Sequence, residues 1–400
     1  MNRNFALLLS GQSLANIGDV LYMVSIISTI FVLTDSATAA SFVPFTITSS
    51  MFVSSILTPI LIGKVNLKWL LAGSQIGKTI FLVVLGFMLI GLTASNYYII
   101  FLIIAMIAFL DGCANPIMQT LIPHYVKPDR LIQANGLAET VYQFIQTVMW
   151  FAGSLFLVFL SAYQLIWVVG GLFILSSFLL CLLENVSHRK PEHKGKVAQI
   201  KAGWKTLFYT PVLRKIAWID FFATIAGTVW IAAILFIFVS DALQVGEQWW
   251  GFINGSFFLG LILGSVYCIK YSSFVERRIG AFIFTGFFAS FLVTILFSLN
   301  SIPIFALFLS LCIGLFGQIK EIPQQTVIQT SVPKEQLATV YTSLGAISTG
   351  IFGVASLMMG VLADLFGIRM VFVFSGILLL IVSMVVYRSR KLFVRNGMER

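Results

Sequence analysis

Apolar runs long enough to cross a lipid bilayer recur along the whole of this 400-residue chain, separated by short turn-rich or charged breaks. A spanning helix needs about 20 mainly apolar residues. Segments of that length are predicted at about 5–33, 38–62, 69–93, 97–125, 130–159, 163–184, 212–240, 247–270, 279–299, 302–330, 335–363 and 368–388. With 59 % apolar and 10 % charged residues, the composition excludes an ordinary soluble domain. The first run is too long for a signal-peptide core and lacks a small-residue cleavage pattern, so it is read as the first span. The expected fold is an all-α polytopic membrane protein with twelve transmembrane helices.

Basic residues near span ends stay on the cytoplasmic side. The twelve-span reading places 24 of the 25 Lys and Arg on one side of the membrane and leaves Arg369 on the other. Both termini and the long loop around His188 to Lys205 are therefore expected in the cytoplasm. The net charge of +10 is read as topology signal and contact with lipid headgroups. A nucleic-acid surface is not expected, because the basic clusters sit between apolar runs and not on one solvated domain.

Cys113, Cys181, Cys268 and Cys312 all fall inside apolar segments without metal-ligand spacing, which predicts neither disulfide nor zinc site. No Gly-x-x-x-x-Gly-Lys-Ser/Thr loop occurs, and the three histidines lack zinc-protease spacing. The chain is expected to be neither ATP-driven nor an enzyme, and to need no cofactor.

Four parts are expected. Residues 1–184 form a six-helix half, 185–211 a cytoplasmic linker, 212–388 a second six-helix half and 389–400 a basic tail. The linker carries His188, Arg189, Lys190, His193, Lys194 and Lys196, then a partly amphipathic piece from Ile200 to Phe208 expected at the membrane surface. An internal repeat supports the division. At an offset of 206 residues, Gln119-Thr120-Leu121-Ile122 matches Gln325-Thr326-Val327-Ile328, Leu131 matches Leu337, and Lys64 matches Lys270. Parallel, pseudo-symmetric halves are a transporter architecture, with a substrate site near the midplane where the repeats meet.

The chain resembles the major facilitator superfamily, and within it the bacterial branch of macrolide-efflux and enterobactin-export proteins. The resemblance spans nearly the whole chain. Leu9-Ser10-Gly11-Gln12-Ser13 with Ile17-Gly18-Asp19 carries it first. Pro116, Leu121-Ile122-Pro123, Pro128, Leu131 and Ala134-Asn135-Gly136-Leu137 follow. In the second half its carriers are Gly251, Gly255, Gly260 and Gly264, then Gln329-Thr330-Ser331-Val332-Pro333, then Gly360 to Arg369. It implies the major facilitator fold and a small-molecule substrate.

Departures from the family pattern are specific. The loop between spans two and three usually carries Gly-x-x-x-Asp-x-x-Gly-x-Arg, a latch between conformations; here it shrinks to Gly63-Lys64-Val65-Asn66-Leu67-Lys68, without the acid. The matching pattern at Gly360 to Arg369 is expected to be a tight capped turn with an Asp364–Arg369 pair. The fourth-span arginine is absent, and the fifth-span antiporter motif reduces to Gly153 in Trp150-Phe151-Ala152-Gly153-Ser154.

An ionisable side chain at the bilayer centre costs about 3 kcal/mol or more, so it faces a cavity or a partner. Asp19 in span one and Asp111 in span four are each about 20 Å from one end of their spans at 1.5 Å per residue. That depth makes them the candidates for proton or substrate coupling. Glu139 and Asp220 are expected within reach of Lys or Arg from nearby loops, as gate or pairing residues. Lys320 and Glu321, adjacent and so about 100° apart on a helix, are expected to include one partner for another span. Asn16, Asn115, Gln119, Gln143, Gln146, Asn254, Gln318 and Gln324 are the uncharged candidates for a cavity lining, since such side chains would lack partners in lipid.

The function expected is secondary active transport, a proton-coupled exporter of a drug-, macrolide- or siderophore-like molecule working as a monomer. Uptake, or proton-independent carriage of a lipid-like or siderophore-like molecule, is the alternative within transport. A membrane protein that senses a ligand without moving it is the alternative outside it.

Overall fold

The computed structural model describes residues 2–34, 37–62, 64–93, 96–186, 196–230, 232–246 and 248–393, and among them the ordered backbone is helical, with one isolated bridge at Ile62 and Val65. The first helices are α1 (Arg3–Thr34), α2 (Ala37–Leu57), α3 (Leu67–Met88), α4 (Ile100–Tyr125), α5 (Leu131–Phe159), α6 (Ala162–Cys181) and α7 (Lys196–Tyr209). They are followed by α8 (Pro211–Gly227), α9 (Ala232–Ile237), α10 (Gln248–Lys270), α11 (Ser272–Arg277) and α12 (Ile279–Leu299). The last three are α13 (Pro303–Ser331), α14 (Lys334–Phe366) and α15 (Ile368–Ser389).

Each expected span coincides with one long helix except the seventh, where Pro211–Trp230 and Ile234–Leu243 meet at 46°. Ten helices among the described residues are long and apolar enough to cross a membrane, and the bent pair makes an eleventh. The remaining long helix is α5, whose first half carries Gln133, Asn135, Glu139 and Gln143.

Local chemistry sets several boundaries. Ser161 and Gln164 form a reciprocal capping box that opens α6, satisfying backbone donors the helix cannot pair itself. Pro211 and Pro303 begin α8 and α13, where a missing N–H costs nothing. Between α14 and α15, Gly367 adopts φ +83°, which an L side chain resists, and its N–H donates to Ala363 O.

The chain divides into two compact units. The first contains Met1–Lys127, Phe144–Trp204 and Lys334–Ala346; the second contains Pro128–Gln143, Lys205–Pro333 and Ile347–Arg400. Helices α5 and α14 each contribute to both. In the first unit α1 packs on α2 and α6, α3 on α4 and α6, and α2 on α4. Leu21, Ile26, Ile30, Leu82, Ile104 and Phe173 are buried in its core. In the second, α10 packs on α13, α12 on α13 and α15, and α8 on α15. Phe238, Phe297 and Phe372 form a mutual aromatic cluster there, with ring centroids 4.6, 4.9 and 5.2 Å apart.

Large apolar residues cover the outward faces of these helices, including Leu102, Ile174, Phe178, Val354 and Leu357. Lipid tolerates such side chains without partners, while helix–helix seams rely on close approach of small residues. Gly260 and Gly314 show this, each abutting the other helix's backbone between α10 and α13. The glycine series is not uniformly a packing seam. Gly251, Gly255, Gly353 and Gly360 have no neighbour within 4 Å of where a side chain would begin.

The shortened loop before α3 holds by different bonds from the family latch. Asn66 caps α3 by accepting from Lys68 N at 3.1 Å, and its Nδ2 donates to Val186 O at 2.7 Å. Asn4 Nδ2 donates to Glu184 Oε2 at 2.8 Å and Tyr125 Oη to Glu184 O at 2.7 Å, tying α1 and α4 to the end of α6. The linker residues His188, Arg189, Lys190, His193 and Lys194, the loop residue Gly63, and Arg395 and Arg400 of the tail lie outside the described residues. Helix α7 covers the expected surface piece.

The expected Asp364–Arg369 pair does not form. Arg369 Nη1 donates to Ser298 O and Asn300 O at 2.7 and 2.8 Å, and Nη2 to Ala242 O and Ser301 Oγ at 3.1 and 2.8 Å. Asp364 is exposed. Unpaired backbone carbonyls offered the guanidinium more acceptors than one carboxylate on the surface.

Candidate functional site

Helices α1 and α3 both pack on α4 in the first unit, and each brings a charged side chain to one point. Lys78 is the twelfth residue of α3, about 17 Å from its start at 1.5 Å per residue. Its Nζ lies 2.8 Å from both Asp19 carboxylate oxygens and 2.7 Å from Asp111 Oδ1. The lysine side chain is 0 % exposed, whereas those of Asp19 and Asp111 are 20 % and 21 % exposed. The cation is sealed and the two anions are partly open.

Small residues make room for this arrangement. A side chain at Gly18, next to Asp19, would collide with the Phe173 ring of α6. That ring centroid lies 5.1 Å from Lys78 Nζ, a cation–π contact on a lysine already paired with two carboxylates. One ammonium cannot neutralise two carboxylates, so the ionised trio carries a net charge of about −1, in a setting where charge is costly. This is a place where a proton or a positively charged group is held favourably.

Lys78 was not among the residues expected here. Charge segregation counts it among the loop cations, yet it is the tenth residue of the third apolar run, and Lys320 likewise lies inside the tenth run. Neither helps fix orientation. The usable signal was the sequence Gln75-Ile76-Gly77-Lys78-Thr79, a lysine within an apolar run and distant from either flank.

Around the trio, Asn16 lies one turn before Asp19 and accepts from Gln12 Nε2 at 3.3 Å. Asp111, Asn115 and Gln119 recur at intervals of four, one face of α4. Gln146 is half-buried on the part of α5 in this unit. A separate cavity of about 390 Å³, lined in part by Ser28, Thr29, Leu89, Leu92, Leu160 and Tyr163, lies more than two turns along α1 from Asp19.

The second unit gathers the other candidates. Glu139 Oε2 accepts from Gln318 Nε2 and Gln143 Nε2 at 3.4 and 3.5 Å, and Oε1 from Gln325 Nε2 at 3.3 Å. Asp220 Oδ1 accepts from Gln324 Nε2 at 2.6 Å. Side-chain amides therefore take the place of the loop cations expected for Glu139 and Asp220. Lys320 Nζ lies 4.5 Å from the Phe287 ring centroid, within electrostatic range of Glu321 and Asp220. Among the described residues no ion pair within 4 Å joins Lys320 or Glu321 to another span; the pairs found are those of Lys78. Asn254 donates to Trp250 O at 2.8 Å, one turn back in its own helix.

A polytopic helical membrane protein with charged groups at mid-span is the class these features define. Residues 8–342 match the family model for the Major Facilitator Superfamily, and the chain belongs to that family. It is a transporter by family and not an enzyme. It is 32 % identical over 387 residues to the uncharacterized MFS-type transporter YfmI of Bacillus subtilis (strain 168), covering 95 % of each chain. It is 23 % identical over 307 residues to the multidrug efflux pump Tap of Mycolicibacterium fortuitum, covering 74 % of this chain and 73 % of that one. The crystal structure of the E. coli fucose:proton symporter FucP superposes with a TM-score of 0.77 at 14 % identity, over 96 % of this chain and 98 % of that one. That likeness concerns the fold.

Proposed function

We propose that this protein exports a small or medium-sized organic molecule across the bacterial cytoplasmic membrane by alternating access, in exchange for protons, with both termini in the cytoplasm. The two halves are residues 1–184 and 212–388, joined by the linker at 185–211, and one chain suffices. Asp19 and Asp111 are the coupling residues, and Lys78 is the counter-charge they share.

The observation that carries the reading is the sealed lysine between two partly open aspartates. With both aspartates ionised the trio has one negative charge in excess; a proton on either one removes it. Charge at mid-span is disfavoured by about 3 kcal/mol or more, so the trio changes the stability of whichever conformation exposes it. A proton and a cargo that contacts the same carboxylates then compete for them, which is the basis of exchange. The similarity to Tap, a multidrug efflux pump, supports the outward direction.

Proteoliposomes holding the full chain, loaded with ethidium or radiolabelled erythromycin and given a pH gradient, test the proposal. Wild type should move at least one probe in response to the gradient, and Asp19→Asn and Asp111→Asn should each abolish that response while inserting normally. Gradient-driven exchange at the wild-type rate in both variants would remove the assignment.

A further inference from the structure

The Asp19–Lys78–Asp111 trio leaves the polar cluster of the second unit without a role. There Glu139 and Glu321 are electrostatic neighbours, as are Asp220 and Glu321, and among the described residues Lys320 is a cation within range of Asp220 and Glu321. Three carboxylates against one ammonium leave about two negative charges in excess when all are ionised. Acidic character alone defines no site. A second observation points to a ligand: Gln318 is 3 % exposed, its Nε2 is directed at Glu139, and its Oε1 accepts no hydrogen bond among the described residues. A buried carbonyl oxygen without a donor costs about 1–3 kcal/mol.

The bonds that hold Glu139 are also long. Amide donors reach it at 3.3, 3.4 and 3.5 Å, beyond the usual 2.7–3.2 Å for N–H···O. Each donor is a glutamine, and turning its terminal amide replaces NH2 by oxygen at nearly the same place. With the amides turned, Glu139 and the glutamine oxygens form an oxygen-only set around a single carboxylate. Oxygen-only sets suit hard cations and ammonium groups. Among the described residues no three His, Cys, Asp or Glu are placed to hold a metal ion, which argues against a divalent occupant.

We infer that Glu139 and Gln318, with Gln143 and Gln325, form a second site that takes a small monovalent cation, either an alkali ion or a primary ammonium. Binding would give Gln318 Oε1 a partner, offset the excess negative charge and replace the long amide bonds to Glu139. The site lies in the second unit and does not rest on the proton-exchange reading of the first.

Equilibrium binding to the purified full chain in phosphatidylcholine nanodiscs tests this, with radiolabelled sodium and radiolabelled methylammonium as probes. Wild type should bind at least one probe saturably. Sodium bound and not displaced by methylammonium identifies the inorganic source; methylammonium bound and not displaced by sodium identifies an ammonium group. Glu139→Gln should abolish binding, Gln318→Leu should weaken it about tenfold through the loss of one oxygen ligand, and Asp241→Asn, at an exposed acid of the same unit, should leave it unchanged. Absence of saturable binding to wild type overturns the inference whatever the variants do. So does wild-type binding by Glu139→Gln, or loss of binding in Asp241→Asn.

Discussion

The Phe173 ring lies 5.1 Å from Lys78 Nζ, and the same ring fills the space that a side chain at Gly18 would occupy. The residue before Asp19 is thus constrained by the group that helps seal the lysine. Gly18→Val should push α1 from α6, lowering thermal stability by about 1–3 kcal/mol, the usual cost of overpacking. Gly171→Ala, on α6 with no neighbour within 4 Å, should leave the melting temperature unchanged. Intrinsic fluorescence on heating in detergent separates them; equal stability would mean that the close approach at Gly18 is dispensable.

Lys78 itself offers a sharper test. Removing one partner from a buried ion cluster leaves uncompensated charge, at about 3–5 kcal/mol, whereas replacing all partners by apolar residues is often neutral. Lys78→Met should therefore be strongly destabilised, and the triple substitution Asp19→Leu, Lys78→Met, Asp111→Leu should recover most of the lost stability without recovering transport. A triple variant less stable than Lys78→Met alone would show that the trio contributes net stability.

The long apolar runs made the helices legible, because a spanning segment must be both long and apolar regardless of its neighbours. Positions of Asp19 and Asp111 were legible for the same reason: a carboxylate stands out in an apolar run. Lys78 is less legible, because basic residues in a membrane chain mostly mark the ends of spans. Pairings were less readable still. Depth along a helix says nothing about which neighbour presents an amide, so Glu139 and Asp220 were expected beside loop cations and sit beside glutamines. Likewise, proximity in sequence suggested Asp364 for Arg369, while the acceptors come from segments about 70 and 127 residues away.

Ser161 heads α6 by a capping box with Gln164. Ser161→Ala should cost about 1 kcal/mol, seen as a modest drop in melting temperature, with transport of the probes unchanged because the cap lies about 18 Å along α6 from Phe173, the ring that meets Lys78. A loss of transport at preserved stability would instead connect this end of α6 to the transport cycle.

Arg369 and Asp364 make opposite predictions although five residues apart. The guanidinium holds Ser298 O, Asn300 O, Ala242 O and Ser301 Oγ, and so joins the ends of three separate segments. Arg369→Ala leaves carbonyl groups without donors, and a charge-assisted bond to such groups is worth about 1.5–3 kcal/mol. A clear loss of thermal stability is expected. Lysine is a weaker replacement, since its compact ammonium cannot span acceptors that the planar guanidinium reaches with two nitrogens; Arg369→Lys should recover part of the loss. Asp364→Ala should be silent, because the carboxylate is exposed and its expected partner is engaged elsewhere. If Asp364→Ala destabilised the protein as much as Arg369→Ala, and the two changes were non-additive in a double-mutant cycle, the pair would be formed in solution and the carbonyl-bound arrangement of Arg369 would be wrong.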